Sequence, residues 1–473
     1  MMIGRKKELG VLNRMAASSD FQFLVMYGRR RVGKTTILQE FAQNHPAIFF
    51  PAQEKNDALN LQDFSQTLQE YFGGEYIAPF PDWEKALDYF GKHAAEQEGK
   101  TILIIDEFPF LASQNASIKS ILQHKIDHAW QHQNLMLVLC GSSVSFMVNE
   151  VMGYKSPLYG RVTGKMEVKP FDYLDSAAFF PDYTMDDQLL AYGILGGIPR
   201  YLNAFCDQES IEQNLAHQIL PESTFLNDEP QMLLRMELRE PVVYNSILEA
   251  IANGANKVHM IADRIHEPAG KCSKYLSVLQ NIRLVQKIVP CGEPRTSKKG
   301  IYVLSDSYYR FWYRYVFTKR NFYALLGEEE AAKRIMAGIT DYMGPVFEQV
   351  CQEYLIRMAR KGALPFIPAQ IGKWWGTNPV LRQQDDVDVL AFDESGKKAI
   401  FCECKYWNRP MPMEEYDDLL TASMAFPNIR EKYYVFFSKG GYTQPVQERA
   451  KREKAVLLRI QDLYSLDNSA WII

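Results

Sequence analysis

The chain has 473 residues, 47% of them hydrophobic and 23% charged, with a formal net charge of −4. That length is too great for one compact core and argues for about three domains, while the apolar-to-charged balance excludes a disordered chain. The slight negative charge excludes a uniformly basic surface, so any grip on nucleic acid must come from local basic patches.

Seven cysteines scattered along the chain do not form a disulfide framework, and reduced thiols fit a cytoplasmic location. The opening stretch MMIGRKKELGVLN carries charges where a signal peptide needs an apolar region. No apolar run approaches the ~18 residues of a membrane helix, so a soluble protein without a membrane partner is expected.

In chain order, residues 21–43, FQFLVMYGRRRVGKTTILQEFAQ, give an apolar strand, a loop bracketed by glycines and a helical pattern. Gly28, Arg29, Arg30, Arg31, Val32, Gly33, Lys34 and Thr35 complete a G-x-x-x-x-G-K-[ST] motif, and Thr36 follows it. Glycines there let backbone N–H groups curl around phosphates. Lys34 reaches the outer phosphates, and the Thr35 hydroxyl is a magnesium ligand. The run TILIIDEF, residues 101–108, is a buried strand ending in two acids. Asp106 would hold magnesium and Glu107 would polarise the attacking water, which makes ATP and Mg the expected cofactors. LMLVLCGSS ends in Ser142 and Ser143; Ser142 is placed to touch the γ-phosphate, or serves as a turn former. The alternation of strands and helices predicts a parallel sheet covered on both faces.

IGRKKEL, YGRRRVGKTT, ILIIDEF, LCGSS, SPLYGR and GGIPRYL, in this order, resemble the archaeal-type ATPases of the AAA+/STAND group of P-loop proteins. The resemblance spans most of the first 320 residues. It implies that Arg161 of SPLYGR is an arginine finger, acting within the chain or in a neighbour of a homo-oligomer, and that Pro199 of GGIPRYL lies near the adenine. Ile3, Gly4 and Arg5 would line the other side of the base. On the residues alone, Arg161 is a loop charge and GGIP a turn.

From Pro241 to about Val316, short helices are followed by two strands around a polar loop, the pattern of a winged helix. Lys271, Ser273 and Lys274 would open its recognition helix, with Arg295, Lys298 and Lys299 on the wing, so DNA is an expected partner. Such a module can also act as a packing hinge. The aromatic run YYRFWYRYVF reads as core.

After an expected linker around Gly327–Glu330, the pattern is helix, strand, turn, strand, helix, strand, helix, strand. Glu348 lies on the first of these helices, Asp388 on one strand, and Glu403-Cys404-Lys405 near the end of the next. An antiparallel pairing brings Asp388 and Glu403 to the same sheet end, as two oxygen ligands for magnesium. Lys405, on the face of Glu403, would orient a hydroxide and offset charge on a scissile phosphate. Asp386 is the alternative to Asp388 as ligand. Glu348, Asp388 and Glu403-x-Lys405 resemble the PD-(D/E)XK nuclease superfamily, and pairing such a domain with an archaeal-type ATPase is itself characteristic of that ATPase family. Arg449, Lys451, Arg452 and Lys454 share a helix as a phosphate-contacting or solvated face, and Cys402 and Cys404 belong on the buried back of their strand.

The expected protein is thus α/β and multidomain. A P-loop parallel-sheet ATPase domain spans 1–205, a helical lid plus winged helix 206–320, and a restriction-endonuclease-like α/β domain 321–473. Its expected function is nucleotide-coupled DNA binding and magnesium-dependent phosphodiester cleavage. The alternative is a nucleotide-dependent switch or transcriptional regulator whose last domain binds without cutting.

Overall fold

The computed structural model describes residues 3–76, 78–238 and 240–465. The chain divides into two compact units, Met1–Pro170 with Ile198–Arg200, and Phe171–Gly197 with Tyr201–Ile473. The sequence pattern suggests three segments in series, so the division differs in placing residues 171–197 with the later part of the chain.

The first unit is built on five strands: β1 (Gln22–Tyr27), β2 (Ala47–Pro51), β3 (Thr101–Asp106), β4 (Leu135–Gly141) and β5 (Gly164–Glu167). They lie in the order β2-β3-β4-β1-β5, and every pairing is parallel. β3 and β4 are buried along their whole length, as parallel strands covered by helices on both faces must be. That explains their unbroken apolar runs. β1 feeds the glycine loop, and the helix Lys34–Gln43 leaves it, so loop and acids gather at the carboxyl ends of β1 and β3, with β4 between them.

In the second unit, helices Pro241–Ala252, Val258–Ile265 and Ala269–Asn281 precede an antiparallel hairpin of β6 (Val285–Ile288) and β7 (Ile301–Leu304). The aromatic run forms the helix Ser307–Tyr315, with Tyr308, Tyr309, Phe311, Trp312 and Tyr313 fully buried. Its polar tips are satisfied: Trp312 Nε1 donates to the Asn227 carbonyl at 2.9 Å and the Tyr313 hydroxyl to Asn245 Oδ1 at 2.6 Å. The expected linker is instead helical. Gly327, at φ 86°, separates the helices Arg320–Leu326 and Glu328–Ala337, and three glutamates in the first turn of the second suit the positive end of its dipole.

The remaining strands are β8 (Pro368–Asn378), β9 (Gln383–Asp393), β10 (Lys398–Lys405), β11 (Glu431–Ser438) and β12 (Val456–Leu458). They form a mixed sheet in the order β12-β11-β10-β9-β8. β8, β9 and β10 are antiparallel neighbours, and β10, β11 and β12 run parallel. The parallel steps cross over through the helices Met413–Ala422 and Gln444–Glu453. Phe401, Tyr416, Phe436 and Val446 fill the core on one face. Trp374 packs on Phe426 there, its ring centroid 4.9 Å away. Cys402 and Cys404 are buried.

Candidate functional site

The nucleotide end of the first unit is shaped by backbone demands. Gly28 has no room for a side chain, because a Cβ there would lie 2.4 Å from the Val168 carbonyl, and Gly33 adopts φ 93°. Buried Arg5 clasps the loop from behind, donating to the carbonyls of Val32 and Lys169 at 2.8 Å each. It braces the phosphate loop. Pro199 lies beside Gly33, 3.8 Å from where a Cβ would stand.

Lys34 Nζ donates to the carbonyls of Gly28 at 2.9 Å and Arg29 at 3.1 Å. Burial lowers its pKa, with Cys140, Glu107 and Asp106 opposing. The Thr35 hydroxyl donates to Asp106 Oδ2 at 2.7 Å, so a hydroxyl and a carboxylate already converge as hard oxygen donors, the set magnesium requires. Glu107, in the left-handed region at φ 51°, accepts from the Ser142 backbone N–H at 3.1 Å and its hydroxyl at 2.9 Å. Ser142 thus holds the acid that follows β3. Arg161 is engaged within its own chain. Its Nε and Nη2 donate to Asp127 at 2.6 Å each, and Nη1 to the carbonyls of Pro157 and Tyr159. The sequence does not single out Asp127, which belongs to no motif, or Cys140, which lies within LCGSS but beside the serines that carry its polar chemistry.

At the sheet of the second unit, Glu348, Asp388, Glu403 and Lys405 come from three elements to one place. Glu348 lies on the helix Ile339–Arg360. β9 and β10 pair as far as Val389↔Cys402. Beyond that point Asp388 Oδ2 accepts the Cys404 N–H at 2.9 Å in place of a ladder bond. Lys405 Nζ lies 2.5 Å from Glu403 and 2.9 Å from Glu415. Lys373 of β8 adds a second ammonium, 2.7 Å from Glu348, 3.3 Å from Asp388 and 3.4 Å from Asp386.

Burial, then the Asp388 charge, pushes Glu348 up to about 7 and Glu403 up to about 8. Burial alone would lower both lysines, but their carboxylate neighbours hold them raised. Among the described residues no three His, Cys, Asp or Glu side chains form a metal cage. Asp388 and Glu403 nevertheless fit the two-carboxylate site expected of magnesium, which retains water in its other positions. Each lies in the other's field, and five carboxylates against two ammoniums leave negative charge to neutralise.

Lys373 and Glu415 escaped the sequence reading. A lysine inside IGKWWG, an otherwise apolar strand, was the available signal for the first. Glu415 sits in the acidic first turn MEEYDD, where a helix-dipole explanation sufficed.

Phosphate loop, paired acids and parallel sheet together define a P-loop ATPase domain. Residues 2–205 match the family described as "ATPase domain predominantly from Archaea", and residues 312–417 the family "Archaea bacterial proteins of unknown function". The chain is 32% identical over 442 residues to the uncharacterized protein MJECL04 of Methanocaldococcus jannaschii, covering 93% of this chain and 96% of that protein. It belongs to the same protein family as MJECL04. A 44-residue stretch is 41% identical to the uncharacterized ATP-binding protein MJ0423 of the same organism, covering 9% of this chain and 75% of that one. Among solved structures, the Walker-type ATPase paby2304 of Pyrococcus abyssi shares the fold at a TM-score of 0.51 and 21% identity, over 66% of this chain and 96% of that one.

Proposed function

We propose that the protein binds and hydrolyses ATP with magnesium at the phosphate loop, and that its second unit is a magnesium-dependent deoxyribonuclease of the PD-(D/E)XK kind. The observation that carries the nuclease reading is the meeting of Glu348, Asp388, Glu403 and Lys405 at one sheet end. Asp388 and Glu403 would hold the metal, with Asp388 fixed by the Cys404 N–H. A bound divalent ion supplies a water of lowered pKa and positive charge beside the phosphate. The Lys405 ammonium, oriented by Glu403 and Glu415, offsets charge on the scissile phosphate. Glu348 can carry a proton near neutrality.

In the ATPase half, Lys34 would reach the outer phosphates, Thr35 and Asp106 would hold the metal, and Glu107 would orient water. The exposed side chains of Lys274, Arg295 and Lys298 on the winged helix supply sequence-independent phosphate contacts. Lys271 and Lys299 are paired with Glu267 and Glu293.

The test is incubation with supercoiled and linear DNA, magnesium or manganese, with and without ATP. Nicking should vanish in Lys405→Ala, and ATP hydrolysis in Lys34→Ala. An absence of cleavage under every condition, with hydrolysis intact, would leave a nucleotide-dependent binding protein.

A further inference from the structure

One cation in the carboxylate cluster belongs to no motif. Two residues of β9, Asp388 and Val389, stand opposite the single residue Lys373 of β8, because the register slips between Gly372↔Leu390 and Trp374↔Val387. A bulge of this kind bends its strand and re-aims side chains. Here it sets the Lys373 ammonium against Glu348, Asp388 and Asp386, at 2.7, 3.3 and 3.4 Å. The backbone of Lys373 is fastened from outside the sheet. Its carbonyl accepts the N–H of Cys291, in the loop between β6 and β7, at 2.8 Å. The same loop is anchored by Cys291 Sγ donating to the Leu390 carbonyl at 3.3 Å and by Gly292 N–H donating to Gln370 Oε1 at 3.0 Å. The start of the wing is therefore committed to the sheet.

Three carboxylates around one ammonium make the environment that a hard cation would take. Lys405 occupies a different pair, Glu403 and Glu415. We propose that Lys373 is a built-in substitute for a second divalent ion: its ammonium fills the Glu348–Asp386–Asp388 position, leaving Asp388 and Glu403 to take a single metal. The assignment rests on the metal-dependent reading of this site. It makes Lys373 a positioning residue for a one-metal centre and gives the wing a structural task, holding β8 in the register that places this lysine. Tethered to its strand, a side-chain ammonium cannot dissociate.

The experiment titrates the full-length protein with Mn²⁺ alone, with Asp106→Asn in every sample, the wild-type reference included, so that the Thr35–Asp106 donor pair takes no ion, counting bound ions by the electron paramagnetic resonance of the free ion and by calorimetry. Wild type should bind one Mn²⁺ per chain. Lys373→Met should bind two, Lys373→Arg one, and Lys373→Met with Glu348→Gln should lose most of the gained binding, by 10-fold or more in affinity. Two ions in wild type, or one in wild type and one of unchanged affinity in a folded Lys373→Met, overturns the substitution while the metal-site reading stands. No ion in wild type but one in Lys373→Met upholds the occupancy by lysine and removes the native metal centre. No ion in any variant removes both. Where Lys373→Met does not fold, two ions in wild type still overturn the substitution, and Lys373→Gln supplies the comparison when wild type binds one.

Discussion

Glu107 shows how a single side chain is prepared. It caps the helix Phe108–Gln114 from a left-handed backbone conformation, a geometry that costs a non-glycine residue roughly 1–2 kcal/mol and tends to persist where function needs it. Both Ser142 donors then hold its carboxylate. Glu107→Gln keeps the shape and loses the charge, so nucleotide affinity should remain near wild type while hydrolysis falls about 10²- to 10⁴-fold. Fluorescent-nucleotide titration beside phosphate release separates the two, and a variant that hydrolyses normally would remove Glu107 from the chemistry. At this scale the sequence was most informative where a residue type is dictated by local geometry, as at Gly28, Gly33 and Lys34. It was least informative for partners distant in sequence. Nothing near Arg161 announces Asp127, and nothing near Asp388 announces Lys373.

Among elements, the helix Ile339–Arg360 carries several tasks. Glu348 meets Lys373 from it, and further along Arg357 forms a bidentate pair with Asp172, 2.7 and 2.5 Å. Between them Glu353 accepts from Gln349, the Tyr192 hydroxyl and the Tyr173 N–H. Burial raises the Glu353 carboxyl from 4.5 to about 7 in spite of those donors. The folded chain thus holds this proton where the unfolded chain has released it. The stability contributed is complete below about 4.5 and is lost as pH rises through 7. Thermal melts of wild type and Glu353→Gln should draw together toward low pH, with wild type falling relative to the variant as the solution becomes neutral. Parallel curves would exclude this ionisation. The long apolar stripe made the helix legible from sequence. Its neighbours were not, because periodicity shows which face is buried without showing what covers it.

For the whole molecule, the informative segment is Phe171–Gly197. The helix Met185–Leu195 is buried on every side from Leu189 onward. The Tyr342 hydroxyl donates to the Gly193 carbonyl at 2.8 Å, and a Cβ on Gly193 would come within 2.4 Å of Met343 Sδ. Its partners thus lie some 150 residues later. A fragment ending at residue 205, where the family match ends, would expose this apolar helix. Expressed alone, residues 1–205 should aggregate or elute as large species on size exclusion, whereas the full chain stays dispersed. A monomeric, cooperatively melting fragment would contradict that expectation. The parallel ATPase sheet could be read from strand runs and motif order. The grouping of residues 171–197 could not, because the match between two buried surfaces is written in shape rather than in local pattern.

Cys291 offers a final consequence. Its thiol is buried against β9, with burial pushing it up to about 12, so an alkylating reagent can reach it only in moments when the hairpin has let go of the sheet. Its modification rate, compared with that of exposed Cys206, works as a clock, reporting how often the hairpin loop leaves the sheet without any engineered label.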